Sequence, residues 1–148
     1  MISDQIKAVG KLVITVTGED GQVKDQRELN NLVVTVGKNY IASRMKDATA
    51  TAMSHMAIGT GSTAAAAGDS ALGTEIARVA LATAGGSVAG AVVTYSASFP
   101  AGTGTGAITE AGVLNNSTGG TLLCRTVFAA VNKTASDAMT INWTVTIS

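Results

Sequence analysis

The chain has one cysteine, one proline, one histidine, one tryptophan and only five aromatic residues in 148. A lone Cys124 permits no intrachain disulfide, and its apolar neighbours mark it as a small buried hydrophobe rather than a nucleophile. A lone His55 leaves neither a metal site nor a Ser–His–Asp triad with partners at usable spacing. Within the apolar run 53–58 it reads as a satisfied core or interface side chain. Aromatics are few and no Lys/Arg cluster accompanies them, which removes direct nucleic-acid recognition. No apolar run approaches the ~20 residues of a membrane-spanning helix, and the N-terminus carries no apolar signal segment. The expectation is a soluble, unprocessed chain with no membrane partner and no cofactor.

What the chain has in quantity is Ala, Thr and Gly, at 25, 20 and 17 positions. Thr and Val suit a pleated surface and Gly suits turns, so the composition points to an all-β domain. Net charge is zero, but the charges are unevenly placed. Residues 1–47 hold thirteen; residues 48–148 hold seven, namely Asp69, Glu75, Arg78, Glu110, Arg125, Lys133 and Asp137. Interface cores are depleted in charge, so so neutral a tract predicts that much of its surface meets other protein.

Alternating apolar residues predict about eight strands in a single domain spanning 1–148, arranged as a jelly-roll-like β-sandwich or barrel. A charged hairpin over about 6–29 opens the chain, turning at Gly18-Glu-Asp-Gly21. Its second strand carries Lys24, Asp25, Arg27 and Glu28, charges expected to guard an outer edge. One helix is expected over about 36–46, with Val36, Tyr40, Ile41 and Met45 on its buried face and Thr35 as N-cap. The last segment, in which Met139, Ile141, Trp143, Val145 and Ile147 alternate with polar residues, is the clearest half-buried strand.

Gly59-Thr-Gly61 invites a reading as a nucleotide loop. Ala64 stands where a dinucleotide fingerprint has its third glycine, no Gly-Lys-Ser/Thr is present, and the surrounding pattern is not βαβ. Asp69, Glu75 and Glu110 could form a carboxylate pair for glycoside chemistry, but no spacing brings them together, and they are expected at the surface. Glu75 and Arg78 could pair across a helical turn, or reach a neighbouring subunit. No catalytic or metal residues are assigned, and no enzymatic activity is expected.

Two long blocks go further. Asn30-Asn-Leu-Val-Val34, Gly37-Lys-Asn-Tyr-Ile-Ala42, Ala57-Ile-Gly-Thr-Gly-Ser-Thr63 and Asp69-x-x-Leu-Gly-x-Glu-x-x-Arg78 follow one another in the first. The second holds Val93-Thr-Tyr-Ser-Ala-Ser-Phe99, Gly106-Ala-Ile-Thr-Glu-Ala-Gly-Val-Leu114, Thr126-Val-Phe128 and Thr140-Ile-x-Trp-Thr-Val145. Over roughly residues 28 to 147 the chain resembles small virion proteins of tailed bacteriophages, labelled either head decoration (cement) or tail-fibre-like proteins. For a stand-alone chain of this size the resemblance implies decoration. It then implies a homodimer or homotrimer on the capsid exterior that bridges subunits of the major capsid protein and brings no catalytic residues. The alternative is a tail or fibre component that serves assembly or host-receptor binding. On the decoration reading the loops at 59–73 and 100–106 and the N-terminal segment are expected to reach capsid neighbours, as mobile polar loops that order on binding. The contact residues expected are Thr60, Ser62, Asp69, Glu75 and Arg78.

Overall fold

Long stretches of alternating apolar and polar side chains, broken by glycine turns, fold this chain into antiparallel strands with one helix. The computed structural model describes residues 5–47 and 50–148. In chain order the elements are β1 (Ala8–Thr17), β2 (Val23–Val33), α1 (Thr35–Lys46), β3 (His55–Gly59), β4 (Glu75–Ala80), β5 (Ser87–Ala89), β6 (Val92–Phe99), β7 (Gly106–Leu114), β8 (Leu122–Lys133) and β9 (Ala138–Ile147). The fold is all-β. The strands hydrogen-bond in the single order β4-β3-β7-β8-β2-β1-β9-β6-β5, a sheet curled into a half-barrel. The strand beyond the expected eight is β5, three exposed residues paired with β6 and too short to show a period.

The curl is made at β2. This strand pairs with β1 from Val23 to Asn31, but meets β8 only through Leu32 and Val33. Where the two splay apart, Arg27 spans the gap, its Nη1 and Nη2 donating to the carbonyls of Ala129 and Ala130 at 2.6 and 3.0 Å. β2 is therefore central, and its charges do not guard an edge as expected; the edge strands are β4 and β5. At the far side the curl brings the segment after β4 against β6, with Ala82 N–H donating to Ser96 O at 2.8 Å.

The enclosed core is continuous. Leu12, Ile14 and Val16 of β1 and Met139, Ile141 and Trp143 of β9 pack with Met56, Ile58, Ile108 and Val113 from the other half of the sheet. Trp143 is the largest fully buried side chain, flanked across the strands by Leu12 and Tyr95. With so few aromatics, the rest of the core is filled by aliphatic side chains and Met. Cys124 is fully buried, which pushes its thiol pKa up and leaves it un-ionised.

Helix α1 packs on β8 and sits very close to it. A side chain at Gly37 would put its Cβ 2.0 Å from the carbonyl oxygen of Leu123, so only glycine allows this seat. Tyr40 and Ile41 pack against the core edge and Val36 against a smaller cluster. Met45 departs from the expected face and is 79% exposed. Thr35 is not the N-cap either. Val34 holds that position, and Thr35 N–H donates instead to Ala67 O at 2.8 Å, tying the helix to the 60–74 loop.

Candidate functional site

The 60–74 loop is a flap folded over the outer face of the β3–β7–β8 portion of the sheet. On this face Ala57, Leu114 and Leu122 form an apolar cluster with Val34, and Leu72 of the flap closes it. The sheet is buried on both sides here, which is why 111–114 and 122–124 read as unbroken apolar runs rather than alternating ones. Gly112 makes room for the flap, since a Cβ there would come within 2.6 Å of Leu72 Cδ1.

A buried ionic cluster staples the flap down. Glu110 of β7 is fully buried and Arg125 of β8 is 2% exposed. Arg125 Nη2 donates to Glu110 Oε2 at 2.8 Å and to Thr63 O at 3.0 Å, while Nη1 donates to Asp69 Oδ2 at 2.7 Å. Glu110 also accepts the flap's own amides, Gly73 N–H on Oε2 at 3.0 Å and Thr74 N–H on Oε1 at 2.9 Å. Thr109 Oγ1 holds Gly61 O at 2.7 Å, and Thr60 N–H donates to Thr74 O at 2.9 Å. The flap is therefore held from its first residue to its last, in contrast to the mobile loop expected.

This accounts for the glycines that suggested a phosphate cradle. A Cβ at Gly61 would meet Glu110 Oε2 at 2.3 Å, and one at Gly59 would meet Thr74 O at 2.3 Å. They let the chain approach a buried carboxylate of its own. The 100–106 loop is likewise anchored, because the buried Lys133 donates to Pro100 O at 3.0 Å. Burial lowers the Lys133 pKa, against the opposing charge of Asp137.

The expected contact residues separate into three places. Thr60 and Ser62 stand exposed on the flap. Asp69 belongs to the staple. Glu75 and Arg78 lie on edge strand β4, where the register passes from Ile58↔Ala77 to Gly59↔Glu75 and leaves Ile76 as an extra residue. That bulge puts Glu75 and Arg78 on one face of a strand, not across a helical turn. Arg78 Nε and Nη2 bond both Glu75 oxygens at 2.8 and 2.7 Å, and Nη1 reaches Asn116 O and Gly119 O at 2.8 and 2.9 Å. Arg78 thus ties the edge strand to the β7–β8 turn within its own chain.

Glu110 corrects a further expectation. It is not a surface carboxylate, and it shares the Arg125 guanidinium with Asp69. Both Glu110 oxygens are taken by N–H donors, so the two carboxylates form a structural clamp rather than an acid/base pair. Sequence reasoning missed Glu110 and Arg125 as a pair. The readable signal was one charge of each sign inside an apolar strand, since a buried charge requires a partner. His55 is half-buried, with Nδ1 2.7 Å from Ser54 Oγ. Among the described residues, no group of three or more His, Cys, Asp or Glu side chains is placed to hold a metal ion.

The amide of Ala66 holds the Asp69 pKa below its ordinary 3.8, with burial opposing and Arg125 assisting. For Arg125, burial works against the charge, but its bonds to Glu110 and Asp69 outweigh it and raise the pKa. A carboxylate whose pKa is lowered by folding adds stability above its unfolded pKa, and that contribution is lost as pH falls through the lowered folded value. Asp69→Asn should therefore cost about 1–2 kcal/mol at neutral pH. Urea unfolding followed from pH 7 downward should show the gap to wild type closing below about pH 4. A gap that stays constant with pH would show that Asp69 does not hold the flap by its charge.

Fold and site together define an all-β half-barrel with a neutral flap stapled over its outer face. No protein-family model matches the sequence, and neither a curated protein nor a solved structure matches it.

Proposed function

We propose that this chain is a structural virion protein that decorates a phage head and cements neighbouring subunits of the major capsid protein. One observation carries the reading beyond the sequence resemblance. Of the seven charges in residues 48–148, Glu110, Arg125, Lys133 and Asp137 are buried. The other three are engaged within the chain, Asp69 with Arg125 and Glu75 with Arg78. The flap therefore offers a Ser/Thr/Ala/Gly surface with almost no free charge, fastened by the staple, beside a β4 edge whose two charges pair with each other. Such a surface loses little on desolvation and needs little ordering when another protein covers it.

Cementing needs no strong single contact. An interface of roughly 1,000–2,000 Å² per copy suffices, because repetition over a shell multiplies modest clamps. On this reading Thr60 and Ser62 touch the capsid directly, while Asp69, Glu75 and Arg78 keep the contact surface in shape.

Copy number tests the proposal. Quantitative mass spectrometry of purified virions should find this chain near-stoichiometric with the major capsid protein, and labelled antibody should decorate the head. A few to a few dozen copies per particle, placed at the tail, would overturn the proposal in favour of a tail or fibre component.

A further inference from the structure

The largest concentration of exposed apolar side chains lies away from the flap, beside α1. Ile6, Val9 and Met45 are 77, 54 and 79% exposed, half of the large hydrophobics exposed among the described residues. With Ile41 and Ile147 they line a cleft of about 460 Å³, and among the described residues its charged lining is Lys7 and Lys38. Among the described residues no carboxylate lines it. An apolar floor with a basic rim suits an apolar group flanked by acids.

The same chain presents that group at its other end. β1 leaves the cleft at Ala8 and runs ten residues, about 30 Å, to the β1–β2 turn. The turn displays Glu19 and Asp20, both exposed, beside Val23, which is 60% exposed. The turn is shaped in advance, with Gly21 N–H donating to Gly18 O at 3.0 Å and Gln22 N–H to Asp20 Oδ1 at 2.9 Å. The nearby cation Lys24 is engaged by Asp137 through two bonds of 3.0 Å, which leaves the turn acidic.

We infer that copies of this chain join head to tail, the acidic β1–β2 turn of one seated in the lysine-rimmed cleft beside α1 of the next. The occupant is a second copy because the complementary surface is on the chain itself, and a net charge of zero adds no bulk repulsion between copies. A twofold pairing of cleft against cleft would set Lys7 and Lys38 against their own counterparts. Head-to-tail contacts are heterologous, so they close into a ring when the rotation permits. The inference is independent of the capsid reading, since it concerns the purified chain alone.

Light scattering and sedimentation velocity on the purified full chain test it. Wild type should form an oligomer whose population falls as salt rises. The double variant Glu19→Lys/Asp20→Lys, and separately Lys7→Glu/Lys38→Glu, should each weaken assembly roughly tenfold or more. All four reversals in one chain should restore it. These sites are exposed, so melting curves within a few degrees of wild type, allowing for the Gln22 N–H bond that Asp20→Lys removes, will show that the variants fold. A wild type that stays monomeric at its solubility limit would overturn the inference and assign the cleft to a different protein. An oligomer indifferent to the reversals, or one that the fourfold variant fails to restore, would also overturn it and place the contact elsewhere.

Discussion

Replacing Arg125 with methionine will cost about 3–5 kcal/mol of folding free energy, because it strands a buried carboxylate. Glu110 is fully buried and keeps only two backbone amides once the guanidinium is gone. Thr63 O loses its partner in the same step, and Asp69 keeps only the Ala66 amide. A loss of that size is a large share of the total for a domain of this length and should lower the melting temperature by about 10 °C. Urea unfolding measures the loss, and limited proteolysis shows where it falls, with new cuts expected within residues 61–74. Adding Glu110→Gln to Arg125→Met removes the stranded charge and should recover a good part of the loss. A single variant that loses under about 1 kcal/mol, or a double variant no better than the single, would mean that the ion pair does not hold the flap.

Trp143→Ala should be comparably severe, at about 3–5 kcal/mol. Trp143 is fully buried where β1, β9 and β6 meet, and the neighbouring core side chains are held in a paired sheet that cannot collapse to fill so large a void. Its Nε1–H donates to Asn31 Oδ1 at 2.9 Å, while Asn31 Nδ2 has no partner, so the substitution also leaves the Asn31 side chain unbonded. Trp143→Phe keeps most of the volume and should cost clearly less than the alanine variant. Equal losses for the two would place the weight on the hydrogen bond instead of the packing. Chemical unfolding monitored by circular dichroism separates the cases without relying on the tryptophan signal.

These two residues differ in how far the sequence foretold them. Trp143 sits in a strand whose strict alternation already places it inward. Arg125 could not be placed in that way, because what makes it buried is a flap that arrives from elsewhere in the chain. The same distinction runs through the helix. Its span was legible from its spacing, but the exposure of Met45 follows from how Gly37 seats α1 on Leu123. β2 reads as a charged outer strand in isolation and becomes central only when Leu32 and Val33 pair with β8.

The all-β class, the hairpins and the single helix follow from the sequence by itself, since a period of two or of 3.6 is a local property that each segment carries alone. The flap's attachment does not. Arg125 meets Glu110 across 15 residues and Asp69 across 56. Whether a charge is paired and buried or free at the surface depends on which distant segments the curled sheet brings together. Tertiary structure alone turned a presumed mobile loop into a stapled one, and so decided which charges remain for another protein to meet.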